Sequence, residues 1–377
     1  MKVLTKTRTS EFFIFFTFIL CFLLAVICMF IRIKRLYPRG KEVLSVLSVK
    51  PFFPQGQVLF SISDLSKSQS LGSPALIENK DFIQKTSNSE YSSSEIPQPP
   101  LVTNENEEDN HNPNEKTFRI IESQFGQGGL KYENFCVKNT SGVEIDIAKE
   151  LTSKPDFCIK NSTEPQVLIY HTHTSESYLK KDEGFYYESY YPRSTDSSRN
   201  VTRVGEEITK QLIKHGISTI HDVTYHDSPT YKGSYSRSCK TIKENLEKYP
   251  SIKVTIDIHR DSMGSPENGK VKPTFKINGN KAAQIMIVAG CDKDGSVGFP
   301  DWEYNLRLAL RLQKKCETMF PGLTRPMSFG NFRYNMNLSH GAMLIEVGSD
   351  VNTLNEAVYS GTLVGEALAG VLNDLKK

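Results

Sequence analysis

The sequence predicts an α/β domain with a largely parallel sheet flanked by helices on both faces, preceded by a single transmembrane helix and a tether. Three observations carry this. After residue 165, short continuous apolar runs (QVLIYHTH, IKVTIDIH, QIMIVAG, AMLIEVG) alternate with helical patterns. Runs without polar alternation are strands buried on both faces, and regular strand–helix alternation favours a parallel sheet covered by helices. Upstream, residues 12–31 (FFIFFTFILCFLLAVICMFI) carry no charge. At 1.5 Å per residue such a helix spans about 30 Å, the hydrocarbon thickness of a bilayer.

Residues 1–11 are expected to be a cytoplasmic N-terminus and 12–31 an uncleaved anchor, because Arg32, Lys34 and Arg35 follow directly in place of a small-residue cleavage site. Lys2, Lys6 and Arg8 precede the span, and Arg32, Lys34, Arg35, Arg39 and Lys41 follow it. The positive-inside bias taken alone favours a cytoplasmic C-terminal part, but long domains translocate largely regardless of charge. Residues 32–117 are expected to be a mostly disordered linker, since stretches such as NENEEDNHNPNEK hold too few large apolar groups to offset the entropy of ordering. Residues 118–164 are expected to form a small β segment, with a hairpin around NTSG, packing on a catalytic domain of residues 165–377. In that domain Val201, Val204, Ile208 and Leu212 recur at helical spacing and Gly216 is a stop, as at many helix ends.

The net charge of +3, without a basic stripe bearing interleaved aromatics, argues against nucleic acid. Of seven cysteines, Cys21 and Cys28 fall in the span and the others form no CxxC pair, so no thiolate metal framework is predicted. Cys136 and Cys158 are either a disulfide or two plain thiols.

Ligands of such sheets gather beyond the carboxyl ends of strands. Three polar clusters fall there: His171 and His173 with Glu176, then Asp257, His259 and Asp261, then Glu346. Zinc binds neutral imidazole and carboxylate and keeps a position open for water in catalytic sites. Glu346, in an apolar run, is costly to bury without a charged or metal partner, and suits a general base and acid. His171 and His173 are two apart, so both are expected on one face, one binding metal and the other supporting it or contacting substrate. Each residue has a plainer alternative: a strand-capping histidine, an ion-paired Glu346, a solvated or capping Glu176. Tyr186, Tyr187, Tyr190 and Tyr191 suit either a sugar or peptide groove or packing on their own domain. Arg260 and Arg333 suit acidic substrate or, more commonly, ordinary ion pairs. His215, His221 and His226 lie on surface-like segments and receive no role.

The runs VLIYHTHTSESY, RNVTRVGEEI, IDIHRDS, and FPGLTRP followed by NFRYNMNLSHGAMLIEVGSDVNT together resemble the stage II sporulation protein P family, membrane-anchored cell-wall hydrolases of endospore formers. The resemblance covers about residues 118–377. It implies the fold of the zinc-dependent N-acetylmuramoyl-L-alanine amidases, hydrolysis of the amide between muramoyl lactyl group and L-alanine, and endopeptidase action on cross-links. Carried over by motif, it implies His171 and His259 as metal ligands, Glu176 as the third and Glu346 as the catalytic acid/base, with Zn as cofactor. In the related amidases the ligand glutamate opens a helix, which here would fall near RNVTRV, where no Glu stands; Met336 and His340 replace an expected Gln and Pro. The resemblance also implies peptidoglycan as substrate, stage II sporulation proteins D and M as partners, and an extracytoplasmic catalytic domain at the sporulation septum or engulfing membrane. The competing expectations are a catalytically inactive wall-binding scaffold of the same fold, and a cytoplasm-facing zinc hydrolase.

Overall fold

The computed structural model describes residues 96–100, 112, 114–126 and 128–377. The expected span 12–31 and most of the expected linker lie outside the described residues. Among the described residues no helix is long and apolar enough to cross a membrane.

The chain begins with β1 (Thr117–Ser123), β2 (Leu130–Tyr132), β3 (Phe135–Asn139) and α1 (Ile147–Thr152). It continues through β4 (Val167–Tyr170), β5 (Phe185–Tyr187), α2 (Val201–Lys214), β6 (Thr219–His221) and α3 (Ser234–Lys248). Then come β7 (Val254–Asp261), β8 (Gly264–Ser265), β9 (Gly269–Ile277), β10 (Asn280–Ala283) and β11 (Ile285–Gly290). It ends with α4 (Trp302–Met319), β12 (Met327–Gly330), β13 (Gly341–Ser349) and α5 (Leu354–Asn373).

The main sheet has eight strands in the order β2-β3-β12-β11-β13-β7-β4-β6. Strands β6, β4, β7 and β13 are mutually parallel. Strands β11, β12 and β3 are also parallel to one another, but β11 runs antiparallel to β13. The sheet is therefore mixed: two parallel blocks meet head to tail at the β11–β13 seam. The hairpin expected around NTSG is instead made by β2 and β3. The segment after it enters α1, because the Asp146 carboxylate accepts the Lys149 N–H at 3.0 Å and caps a helix, as Asp does at many helix starts. Cys136, Cys158, Cys239, Cys291 and Cys316 are all free thiols.

Alternate residues of β4 serve opposite faces, as strand geometry requires. Val167 and Ile169 join Val204, Ile208 and Leu212 of α2 in the main core, whereas Leu168 and Tyr170 pack with Ile242 of α3. Each fully buried Leu or Ile stabilises the fold by roughly 1.5–3 kcal/mol. Helix α5 starts at a capping box between Thr353 and Glu356, which satisfies two otherwise open donors. It approaches α2 closely because it offers glycines: a Cβ at Gly361 would sit 3.1 Å from the Val204 carbonyl, and one at Gly365 would sit 2.7 Å from the Gln211 Cβ. Its Tyr359 hydroxyl also donates to the Pro97 carbonyl at 2.9 Å.

A second sheet runs β10-β9-β1-β5, with β8 paired to β9. Between it and α5 lies Lys272, 1 % exposed. Its Nζ is 2.7 Å from Asp182, 3.1 Å from Glu356 and 3.6 Å from Glu122. Lys281 contacts Asp182 and Glu122 at 2.9 Å each. Burial opposes ionisation of Glu122 and Asp182, but the two lysines outweigh it and hold both carboxyls below their ordinary values of 4.5 and 3.8. Groups with depressed folded pKa values stabilise the fold above the unfolded pKa, and that stabilisation is lost as pH falls. Resistance to urea is therefore expected to decline below about pH 4.5, less steeply in a Glu122→Gln/Asp182→Asn variant. At neutral pH, Lys272→Met should cost about 3 kcal/mol, the low end for breaking a buried pair, because Lys281 remains for two of the three carboxylates; urea unfolding monitored by circular dichroism measures it.

Candidate active site

Strand β4 ends at Tyr170 and residues 172–175 form a turn. This break separates the two histidines that a continued strand would place together. His171 keeps the alternation of β4 and points toward α2, whereas His173 is swung to the other face. There its ring meets that of His259 edge-on, with centroids 5.2 Å apart.

His171 is fully buried and both its ring nitrogens are engaged. Nδ1 is 2.9 Å from the Ile258 carbonyl and Nε2 is 2.8 Å from Nε2 of His221. A carbonyl only accepts, so Nδ1 carries the proton, Nε2 of neutral His171 accepts, and His221 donates from Nε2. Burial pushes the His171 pKa down to about 4 and lowers that of His221 well below its ordinary value, helped by His171. The pair sits under Gly205 of α2, where a Cβ would come within 2.6 Å of His221 and 2.8 Å of His171. His221 and His226, expected at the surface, are 8 % and 2 % exposed. His226 Nδ1 donates to the His171 carbonyl at 2.7 Å, helping to pin the turn.

On the opposite face, β7 and β13 run parallel with Glu346 in register with His259. Paired residues of neighbouring strands project to the same side. Ile345 and Val347 belong to the main core, so Glu346 projects away from it, toward the side of Ala342. His259 lies between two carboxylates: its Nδ1 is 3.4 Å from Glu176 Oε2 and its Nε2 2.9 Å from Asp257 Oδ1. The Asp257 contact is oblique rather than a straight hydrogen bond, because His259 Nε2 lacks a partner of good angle. Asp257 is itself fixed by the Thr172 N–H at 2.8 Å and hydroxyl at 2.6 Å.

Glu176 closes the turn. Its backbone carbonyl accepts from the N–H of Val201, the first residue of α2, so it stands in space at the start of that helix. Its side chain accepts from the Arg260 N–H at 3.2 Å, and Arg193 lies 3.7 Å away. Burial opposes its ionisation, but Arg260 and His259 prevail and hold it well below the carboxylate range. His259 responds in the opposite sense: burial disfavours its charge, yet Asp257 and Glu176 raise its pKa well above 6.5. The pocket thus favours a positive charge between its carboxylates.

Among the described residues, no three His, Cys, Asp or Glu side chains close into a metal-binding group as they stand. The donor chemistry nonetheless fits a metal. His173 Nδ1 is buried without a hydrogen-bond partner, and the 3.4 Å between His259 Nδ1 and Glu176 Oε2 is close to the edge of a tetrahedron with metal bonds of about 2.0–2.1 Å. Of the sequence-expected residues, the structure brings Glu176, His259 and Glu346 to one face and leaves His171 on the other, with His173 in its place.

The other candidates divide cleanly. Tyr186 stacks on Phe118 and Tyr190 donates to the Asp350 carbonyl, so both serve packing near the second sheet. Arg260 is spent on the Pro192 and Ser177 carbonyls, Arg333 on Val297, and Asp261 on Arg325. Sequence reasoning missed the aromatic neighbours of His173: Tyr231 stacks on it at 4.3 Å and Tyr235 meets it edge-on at 5.6 Å. Both come from the connection after β6 and the first turn of α3, where no periodic signal marks them.

Fold and site together define a mixed α/β domain with a histidine–carboxylate centre at the carboxyl-terminal halves of β7 and β13 and the turn that follows β4. The chain belongs to the stage II sporulation protein P family, whose model it matches over residues 63–369. It is 31% identical over 222 residues to stage II sporulation protein P of Bacillus subtilis (strain 168), a match covering 56% of this chain and 52% of the relative. The match thus spans about half the length of that curated relative. Similar solved structures include N-acetylmuramoyl-L-alanine amidase AmiC2 of Nostoc punctiforme, at 12% identity and TM-score 0.32, covering 56% of this chain and 96% of that one. The CwlD amidase from Clostridioides difficile, solved in complex with the GerS lipoprotein, is similar at 11% identity and TM-score 0.34, covering 56% and 98%.

Gly205→Ala should destabilise the protein by about 1–3 kcal/mol through overpacking, although alanine is the better helix former. Adding His221→Ala should recover part of the loss; thermal unfolding of the single and double variants checks this.

Proposed function

We propose that this protein is a peptidoglycan hydrolase that cleaves the N-acetylmuramoyl–L-alanine amide during sporulation, using His173, Glu176 and His259 as zinc ligands and Glu346 as acid/base. The observation that carries the reading is the register of Glu346 with His259 beside Glu176. It gathers two carboxylates and an imidazole on the side of the sheet away from the main core. Zinc bound there would supply a Lewis acid that polarises the scissile carbonyl and acidifies water. His173 and His259 would hold it through neutral imidazoles, with Asp257 orienting His259 as outer carboxylates do for metal histidines. Glu346 takes the proton of the attacking water and returns it to the departing amide nitrogen. The products are a free lactyl carboxylate and the amino terminus of the stem peptide. Endopeptidase action on cross-links would use the same residues.

The family membership supports the setting. In this reading residues 12–31 anchor the chain in the membrane, the domain acts outside the cytoplasm at the septum, and stage II sporulation proteins D and M are its partners. One observation favours a second reading, a wall-binding scaffold without catalysis: no three donors converge among the described residues.

His173→Ala and His259→Ala should each abolish release of stem peptides from purified wall and lower bound zinc. His171→Ala should lower thermal stability and leave zinc binding largely intact. Glu346→Gln should keep zinc and lose at least a hundredfold in turnover. Mass analysis of released muropeptides, paired with metal analysis of the full chain, tests all of these. Wild-type protein that takes up zinc but releases nothing would favour the scaffold.

A further inference from the structure

Beside the candidate centre stands a row of aromatic rings that the proposed chemistry does not use. Tyr235, next to His173, stacks on Tyr334 with centroids 5.3 Å apart and planes at 26°. Tyr334 in turn meets Phe332 at 4.7 Å. The rings are half-buried, and Phe332 and Tyr334 are seated on a small cluster of Phe299, Met336 and Ala342. Ala342 lies four residues before Glu346 on the same face of β13, so the row starts at His173 and runs across the face of the sheet that carries Glu346.

The backbone is bent to present these rings. Tyr334 and Asn335 adopt φ of 38° and 62°, left-handed conformations rare for residues other than glycine. Each costs roughly 1–3 kcal/mol and persists only where the surroundings enforce it. Asn335 enforces it here, donating to the Tyr235 carbonyl at 2.9 Å and lying 3.1 Å from the Ser238 hydroxyl, which ties the loop to α3. A core-packing role alone needs no such strain, since a chain in an ordinary conformation can bury the same rings.

The charge of the surroundings selects the ligand. Arg333, the cation of this loop, is turned to the Val297 carbonyl. Arg260 is spent on backbone carbonyls, and Arg193 stands on the other side of His173, over Tyr231 at 4.8 Å. A stem peptide, rich in carboxylates, gains nothing from the neutral aromatic row. A pyranose ring offers C–H groups that pack on aromatic faces and hydroxyls for the tyrosine rims.

We infer that Tyr235, Tyr334 and Phe332 form a subsite for an N-acetylhexosamine ring of the glycan strand, which fixes the substrate with its sugar toward the 331–340 loop and its peptide toward Arg193. This rests on the peptidoglycan reading above, so the test separates binding from catalysis. Titration of the full chain with a β-1,4-linked N-acetylglucosamine tetramer, followed by tyrosine fluorescence or calorimetry, needs neither zinc nor turnover. Binding is expected, weakened about tenfold by Tyr334→Ala or Phe332→Ala and largely restored by Tyr334→Phe. Circular dichroism confirms that the variants fold. Absence of tetramer binding by wild type, equal binding by the Ala variants, or Tyr334-dependent binding of free stem tetrapeptide instead would overturn the subsite. Loss of hydrolysis with sugar binding intact would count against the proposed activity alone.

Discussion

Everything at the centre depends on the in-register parallel pairing of β7 with β13. That pairing places Glu346 beside His259 without help from any loop. A slip of one residue would turn Glu346 toward Ile258 and the core. The register is held by apolar residues on the opposite face, where Ile256 and Ile258 of β7 pack with Met343, Ile345 and Val347 of β13 in one cluster. The hydrophobic face sets the register, and the register positions the polar face. The seam between β13 and antiparallel β11 ends the block of strands that present their carboxyl ends on this side.

The turn after β4 supplies the remaining groups, and it is bound on every side. His171 ties it to β7 through the Ile258 carbonyl, one residue before His259. Thr172 ties it to Asp257, and Ser175 to Asp227. Asp227 also holds Arg193 at 2.7 Å. The buried polar groups here form a connected network, which rigidifies a site where partly satisfied groups would be costly.

Much of this was legible in the sequence because the strands are fully buried. Continuous apolar runs located β4, β7, β11 and β13, and the polar residues ending three of them marked the centre. The choice between His171 and His173 was not legible. Period-two reasoning holds only while the strand lasts, and β4 stops at Tyr170. Gly205 inside an amphipathic helix was the available signal for close approach of a neighbour, but its partners, His171 and His221, lie 34 and 16 positions away along the chain. The direction of β11 was hidden for a similar reason: a buried strand has the same composition whichever way it runs. The NTSG hairpin failed because Asp146 offered a helix cap that outcompeted an extended continuation. Glu176 could not be matched to a helix start by sequence, since the contact with Val201 spans a 24-residue excursion.

The two faces of β4 also differ in the charge they can carry, and this explains why the histidines differ in fate. Under α2 the His171–His221 pair is buried, and the pull of Asp257 on His171 is outweighed by desolvation. Protonation there would strand a charge in an apolar layer, so burial lowers both pKa values and the pair works as a neutral hydrogen-bonded link. Across the sheet, Asp257 and Glu176 crowd His259 and raise its pKa, so that face favours positive charge. The same strand therefore ends in one histidine in a neutral buried link and, two residues later, another on the face of the carboxylates; the turn at 172–175 is the physical step that separates these surroundings.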